Sequence, residues 1–145
     1  MDNIRKATEK DLVRIAEIEI FNYRLYFYPI FKNDRFYFSH LSVPVLAEKY
    51  HKETNKLYVY DDGVVKGFVR IENNEIKKLF VEPVLQNNKI GSCLLQYAVD
   101  NGAEYLWALE KNIKAISFYK KYGFSDTGEK KYEEGTTEYL IKLKK

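Results

Sequence analysis

The sequence predicts an α/β (α+β) domain, a mixed, mostly antiparallel sheet of about seven strands with helices on both faces. Three observations carry this. Short apolar strand runs recur along the chain and are separated by stretches of helical periodicity. Asp62-Gly63 sits between Leu57–Tyr60 and Val64–Ile71, the strongest short-range signal for an antiparallel hairpin. The stretch from Glu75 to Leu109 reads as strand, short loop, helix and strand, so its two strands must run parallel.

The elements follow in order. Asn3–Ala7 is a short first strand, and Thr8 caps a helix with Glu9 and Asp11 in its first turn. Leu12, Ile15, Ala16, Ile18 and Phe21 carry the apolar stripe onward. Half of the residues from Phe21 to Phe38 are aromatic, interrupted by Pro29 and by Lys32-Asn33-Asp34-Arg35. Most of these rings are expected to pack inside, with some spare for an acceptor pocket or a homodimer interface. A second helix starts after Ser42, with Pro44 in its first turn. After the Asp62-Gly63 hairpin, Asn73-Asn74 makes the next turn and Pro83 stops the strand that Glu75 opens. The helix after Gly91 ends at Asn101-Gly102, and Tyr105–Leu109 is the fifth strand. Asn112 caps a helix with Ala115, Ile116, Phe118 and Tyr119 on its inner face. Two last strands, near Gly128–Tyr132 and Thr137–Leu143, make a hairpin through Glu133-Glu134-Gly135-Thr136.

A chain of 145 residues suits one domain, residues 1–145, with a single core. No run is long or apolar enough to span a bilayer, and the first residues lack the apolar stretch of a signal peptide. The lone Cys93 excludes an internal disulfide framework and suits a reducing compartment, so a cytoplasmic protein is expected. Cys93 lies in an apolar helical run and reads as core, not nucleophile. A formal charge of +3 suits an anionic cofactor, while the scattered lysines form no stripe for nucleic acid. With two histidines and one cysteine, no metal site is expected.

The chemistry concentrates after Glu75. A strand, a polar loop (Gln86-Asn87-Asn88-Lys89-Ile90-Gly91) and an apolar helix from Ser92 make an anion site, because the first helical N–H groups have no internal partner. Gly91 lets the backbone come close to a phosphate, and Lys89 adds a cation.

The order Val81-x-Pro83-x-x-Gln86-x-x-Lys89-x-Gly91 resembles the V-x-P-x-x-[QR]-x-x-G-x-[GA] signature of the GNAT N-acetyltransferase superfamily. About twenty residues on, Asn112-x-x-Ala115-x-x-Phe118-Tyr119-x-x-x-Gly123-Phe124 looks like that family's second segment. The resemblance implies the acyl-CoA N-acyltransferase fold and transfer of the acetyl group of acetyl-CoA, as co-substrate, to a primary amine. The acceptor would be a small molecule or a peptide, attacking directly in a ternary complex.

It also implies roles. Leu79, Phe80 and Val81 would pair with the pantetheine arm where two strands splay apart. Gln86, Asn87, Asn88, Lys89, Ile90, Gly91 and Ser92 would face the diphosphate. Asn112, Phe118 and Tyr119 would complete the cofactor site, with Tyr119 as the general acid for the leaving thiolate. The chain departs from the pattern at Lys89, where the first loop glycine normally stands. If that position needs φ > 0, lysine strains it by about 1 kcal/mol. The fifth-strand glutamate of many members is Trp107 here. Histone-type members use a glutamate eleven residues before the loop glutamine, which is Glu75, and Glu72, Glu82 and Glu110 are weaker candidates for the base.

Other classes fit less well. A non-catalytic acyl-CoA-binding module of the same fold is the alternative, given Lys89 and Trp107. A dinucleotide-binding Rossmann unit lacks G-x-G-x-x-G.

Overall fold

Backbone turns fix where each strand begins. Gly63 (φ 121°) and Asn73 (φ 56°) both lie in the left-handed region, and each closes a hairpin between adjacent strands. The computed structural model describes residues 3–86 and 89–145. Its strands are β1 (Ile4–Lys6), β2 (Leu57–Asp61), β3 (Val65–Glu72), β4 (Glu75–Val81), β5 (Tyr105–Leu109), β6 (Ser125–Tyr132) and β7 (Tyr139–Lys144). They form one seven-stranded sheet in the order β1-β2-β3-β4-β5-β7-β6, with β4 and β5 parallel and the other neighbours antiparallel.

The helices are α1 (Leu12–Asn22), α2 (Tyr28–Phe31), α3 (Val43–Lys49), α4 (Ile90–Asp100) and α5 (Ile113–Lys121). Strand alternation assigns them to opposite faces. Leu57, Val59, Val65 and Phe68 turn to one side and bury α1 and α3 through Ile15, Ile18 and Leu46. Val69, Ile76, Val81, Leu106, Ile141 and Leu143 turn to the other and bury α4 and α5 through Leu94, Ala98 and Ile116. Gly67 makes the second layer tight, since a Cβ there would lie 3.0 Å from Leu94 Cδ1 and 3.0 Å from the Phe80 carbonyl. The mixed sheet with helices on both faces is therefore as the sequence predicts.

Caps follow the local chemistry. Thr8 and Asp11 bond reciprocally ahead of α1, and the Ser42 hydroxyl accepts from the Val45 N–H at the start of α3. Gly102 (φ 97°) ends the α4 turn.

Three local expectations need correcting. Of the Phe21–Phe38 aromatic residues only Tyr37 is buried as a whole, Tyr23, Tyr26, Phe27, Tyr28 and Phe31 are half-buried, and Phe21, Phe36 and Phe38 are exposed. The segment coils into two π-helical turns, Tyr23–Phe27 and Phe36–His40, around α2, so many of its rings pack on one another while Tyr23 and Phe27 reach Phe80 of β4. Cys93 lies on the exposed face of α4 and not in the core, because the buried stripe takes Ile90, Leu94, Leu95 and Ala98. β6 begins at Ser125, ahead of Gly128, because a register shift between Asp126 and Lys130 absorbs the glycine within the strand.

Candidate active site

β4 and β5 pair only at Glu75↔Tyr105 and Ile76↔Leu106. The cause lies in β4 itself. Opposite β3, Arg70 faces Lys78 and Ile71 faces Ile76, so Lys77 is an extra residue that bends the strand. β5 meanwhile stays paired with β7 as far as Leu109. The two parallel strands therefore diverge from Lys77 onward. Glu82 N–H bonds to the Lys66 carbonyl at 2.9 Å, which sets Phe80 and Lys78 as the residues bonded to β3. By antiparallel alternation the backbone groups of Leu79 and Val81 point into the opening.

The opening is a cleft of about 610 Å³. Leu79, Phe80 and Val81 form one wall; Asn112, Ala115, Phe118 and Tyr119 of α5 form the other. Gln86, Lys89, Gly91 and Ser92 close one end, where α4 begins. Lys89 is the N-cap of α4 with φ 67°, so the position does need the left-handed region and a lysine occupies it. A Cβ built on Gly91 would stand 3.4 Å from Phe118 Cζ and 3.7 Å from Val81 Cγ2, inside the cleft. Among the described residues three lysines, Lys89, Lys114 and Lys121, line the cleft, and no carboxylate does.

Tyr119 stands at the wall with its ring edge-on to Phe118 and Phe124. Burial pushes its phenol pKa well up, so it is protonated at neutral pH. Among the described residues no group takes its hydroxyl as a partner. Asn112 caps α5, its Oδ1 accepting from the Ala115 N–H at 3.3 Å, and its amide lines the cleft.

Sequence reasoning missed several lining side chains, and three of them, Asn22, Tyr26 and Lys114, meet around Gln86. Asn22 Nδ2 donates to the Val81 carbonyl and to Ile18 O, each at 2.9 Å. Gln86 Nε2 donates to Asn22 Oδ1, and Gln86 Oε1 accepts from Lys114 Nζ and from the Tyr26 hydroxyl. A polar Asn22 in the buried stripe of α1 was the available signal. Tyr26 was expected only as one ring of the aromatic segment, and Lys114 had no signal.

The description "Acetyltransferase (GNAT) domain" is that of the family model matching residues 27–143. The chain belongs to the GNAT acetyltransferase family. YjaB of Escherichia coli, named a peptidyl-lysine N-acetyltransferase, is 29% identical over 69 residues, 47% of each chain. Its Salmonella typhimurium counterpart is 29% identical over 77 residues, so the chain spans about half the length of the named relatives it matches. Among solved structures, apo YjaB superposes with a TM-score of 0.75 at 20% identity, over 97% of this chain and 95% of that one. PaiA N-acetyltransferase of Thermoplasma acidophilum, solved with coenzyme A, gives 0.73 at 22% identity over 98% of both chains. YncA of Salmonella typhimurium, solved with acetyl-CoA, gives 0.63 at 20% over 97% and 90%. These are likenesses of fold.

The remaining GNAT-derived expectations fall in three places. Asn87 and Asn88 lie outside the described residues. Ile90 turns its side chain into the core and leaves only its backbone at the start of α4. Glu75 does not line the cleft. It sits where β4 and β5 still pair, its carboxylate 3.2 Å from the Tyr105 hydroxyl and 3.2 Å from Lys77 Nζ. That is four residues, roughly 12 Å of strand, from Leu79. Of the weaker candidates, Glu72 pairs with Arg70 and Lys56, Glu82 with Arg14 and Glu110 with Lys130.

The opposite side of β4 carries a second polar group. Lys78 Nζ lies 2.6 Å from both Glu19 Oε2 and the Tyr50 hydroxyl, and Tyr50 donates to Glu19 Oε1. Tyr23 stands edge-on to Phe80 beside them, and burial followed by the Glu19 charge raises its pKa. Glu133, at the β6–β7 turn, is half-buried, and its charge adds to the upward pKa shifts of Tyr23 and Tyr37 that burial dominates. Trp107, where many GNAT members carry glutamate, has the Lys131 ammonium 4.3 Å above its ring.

Proposed function

We propose that this chain transfers the acetyl group of acetyl-CoA to a primary amine by direct attack in a ternary complex. The observation that carries the reading is the divergence of β4 from β5 into a cleft with Tyr119 on its wall and, among the described residues, three lysines and no carboxylate in its lining. A cleft of that charge suits a polyanionic donor, and the free strand edge suits an extended amide-bearing arm. The cradle at Gly91, which a side chain would fill, fits a diphosphate against the N-terminus of α4.

Acetyl-CoA supplies the activated thioester carbonyl. Backbone groups of Leu79 and the N–H of Val81, whose carbonyl Asn22 already holds, pair with its arm as a neighbouring strand would. Lys89, Gly91 and Ser92 hold the diphosphate. Tyr119 gives its phenolic proton to the departing thiolate. The amine nitrogen attacks the carbonyl carbon, the C–S bond breaks, and the amine's surplus proton leaves toward Glu75. At its distance from Leu79, Glu75 works through intervening water.

The acceptor reaches the opposite face of the sheet from α4 and α5, beneath the aromatic segment and the β6–β7 turn. Glu133 and the Tyr23 and Tyr37 rings there favour a cationic amine. The peptidyl-lysine activity named for YjaB makes a lysine side chain the acceptor we carry over. Cytoplasmic location follows the same reading.

The test is thiol release from acetyl-CoA across lysine peptides, N-terminal peptides, polyamines and aminoglycosides, with mass spectrometry of each product. A lysine peptide gaining one acetyl group is the expected result. Coenzyme A binding without transfer to any amine would leave only a binding module.

A further inference from the structure

We propose that Lys114 is a diphosphate-binding residue held in reserve by a clasp that the donor opens. The inference rests on the donor reading above. Lys114, in the first turn of α5, reaches across the cleft mouth. Its ammonium lies 2.8 Å from Gln86 Oε1, 3.3 Å from the Tyr26 hydroxyl and 5.0 Å from the Tyr26 ring centre. Tyr26 closes the triangle by donating to Gln86 Oε1 at 3.0 Å. Three elements thus meet: the π-helical turn Tyr23–Phe27, the loop before α4, and α5.

The chemistry of the partners is what points to a ligand. Several cations in this chain meet carboxylates, as Arg5, Arg14, Arg70 and Lys78 do. Lys114 meets neutral oxygens and a ring face, on a cleft whose described lining holds no carboxylate. A phosphate oxygen is a stronger partner for an ammonium than an amide or phenol oxygen, because the bond becomes charge-assisted on both sides. A diphosphate at the α4 N-terminus, where Gln86 stands, therefore draws the ammonium off both.

The release has a consequence across the sheet. Gln86 also donates to Asn22 Oδ1 at 3.1 Å, and Asn22 holds the Val81 carbonyl. Tyr26 belongs to the aromatic segment that walls the acceptor side. Lys114 therefore ties the donor cleft to that wall, and filling the cleft leaves Tyr26 held by Gln86 alone.

Titration calorimetry with coenzyme A and with dephospho-coenzyme A, on the wild type and three variants, tests this. Lys114→Gln keeps a donor amide but no charge and should weaken both ligands about tenfold. Lys114→Arg should restore most of the loss. Tyr26→Phe removes a competitor for the ammonium and should tighten binding by up to about threefold. A Lys114→Gln penalty seen only with coenzyme A would move the contact to the 3′-phosphate and overturn the assignment. So would unchanged affinity, or equal weakening by Tyr26→Phe and Lys114→Gln, which would mark the triad as packing alone. A wild type that binds neither ligand would instead sink the donor reading.

Discussion

The Lys78 ammonium lies 2.6 Å from Glu19 Oε2, a carboxylate only 1% exposed. With Tyr50 this pair pins α1 and α3 to β4 one residue before Leu79, where the cleft wall begins. Breaking such a pair leaves a buried charge uncompensated, at a cost of about 3–5 kcal/mol, whereas replacing both partners with apolar groups is far milder. Lys78→Met should therefore lower the urea midpoint severely, and Lys78→Met with Glu19→Leu should recover most of it. An unchanged midpoint in the single variant would show that the pair contributes nothing to the fold.

Tyr119 carries a prediction that separates chemistry from binding. Tyr119→Phe keeps the ring that packs on Phe118 and Phe124 and removes the proton donor. Turnover should fall about a hundredfold or more, with acetyl-CoA affinity within about twofold of wild type. Because burial raises the Tyr119 pKa above that of free tyrosine, the wild type should also keep its activity up to about pH 10 without an alkaline fall from this group. Retained turnover in the variant would remove Tyr119 from the mechanism.

Buried phenols give the folded chain a measurable alkaline signature. Burial first, and the Glu133 charge second, push Tyr37 up to about 12. Tyr50 and Tyr119 are raised further, both chiefly by burial. The protonated phenol is the form the fold favours. Its stabilising contribution is therefore complete below the unfolded pKa of about 10 and is lost as pH rises through the folded value. Phenolate absorbance should show exposed tyrosines titrating near pH 10, a later step near 12, and a final step coincident with unfolding. A single step complete by pH 11 would contradict the burial of these rings.

Much of the architecture was legible because it rests on short-range chemistry. Asp62-Gly63, Asn73, Ser42 and Asn112 each fix a turn or a cap by their own side chain or φ. The strand–loop–helix run was readable for the same reason, and so was the motif order that placed Tyr119. What the sequence did not disclose depends on contacts between distant segments. The bulge at Lys77, which opens the cleft, is a register mismatch with Arg70 and Ile71 that no local pattern marks. Asn22, Tyr26 and Lys114 come together from α1, the aromatic segment and α5. The aromatic segment was misread because ring density implies burial only when a layer lies above to bury it.

Lys89 should give effects of opposite sign on stability and binding. Its φ of 67° costs a β-carbon-bearing residue about 1 kcal/mol, which Lys89→Gly relieves. For a domain of this size the variant should melt about 2–4 °C higher. The same change removes a cleft cation, so coenzyme A affinity should fall severalfold. Calorimetry and thermal melting on one pair of proteins settle both signs. A variant that melts lower would mean that the lysine stem contributes packing worth more than the strain.

Glu75 is the residue whose position constrains its role most. Its carboxylate is committed to the Tyr105 hydroxyl and Lys77, at the apex where β4 and β5 meet, so it touches no amine lying beside Leu79. A base acting through water needs its charge and tolerates that distance. Glu75→Gln keeps size and can still meet the Tyr105 hydroxyl, so a fall in turnover would report lost basicity. At neutral pH turnover should drop about a hundredfold with acetyl-CoA affinity unchanged. As pH rises toward the lysine pKa of about 10.4, a growing share of acceptor arrives already neutral and needs no base. The penalty should then shrink with rising pH and nearly vanish near pH 10, where raised Tyr119 still holds its proton. A penalty equal at every pH would make Glu75 a structural tie between the two strands and leave bulk water as the proton acceptor.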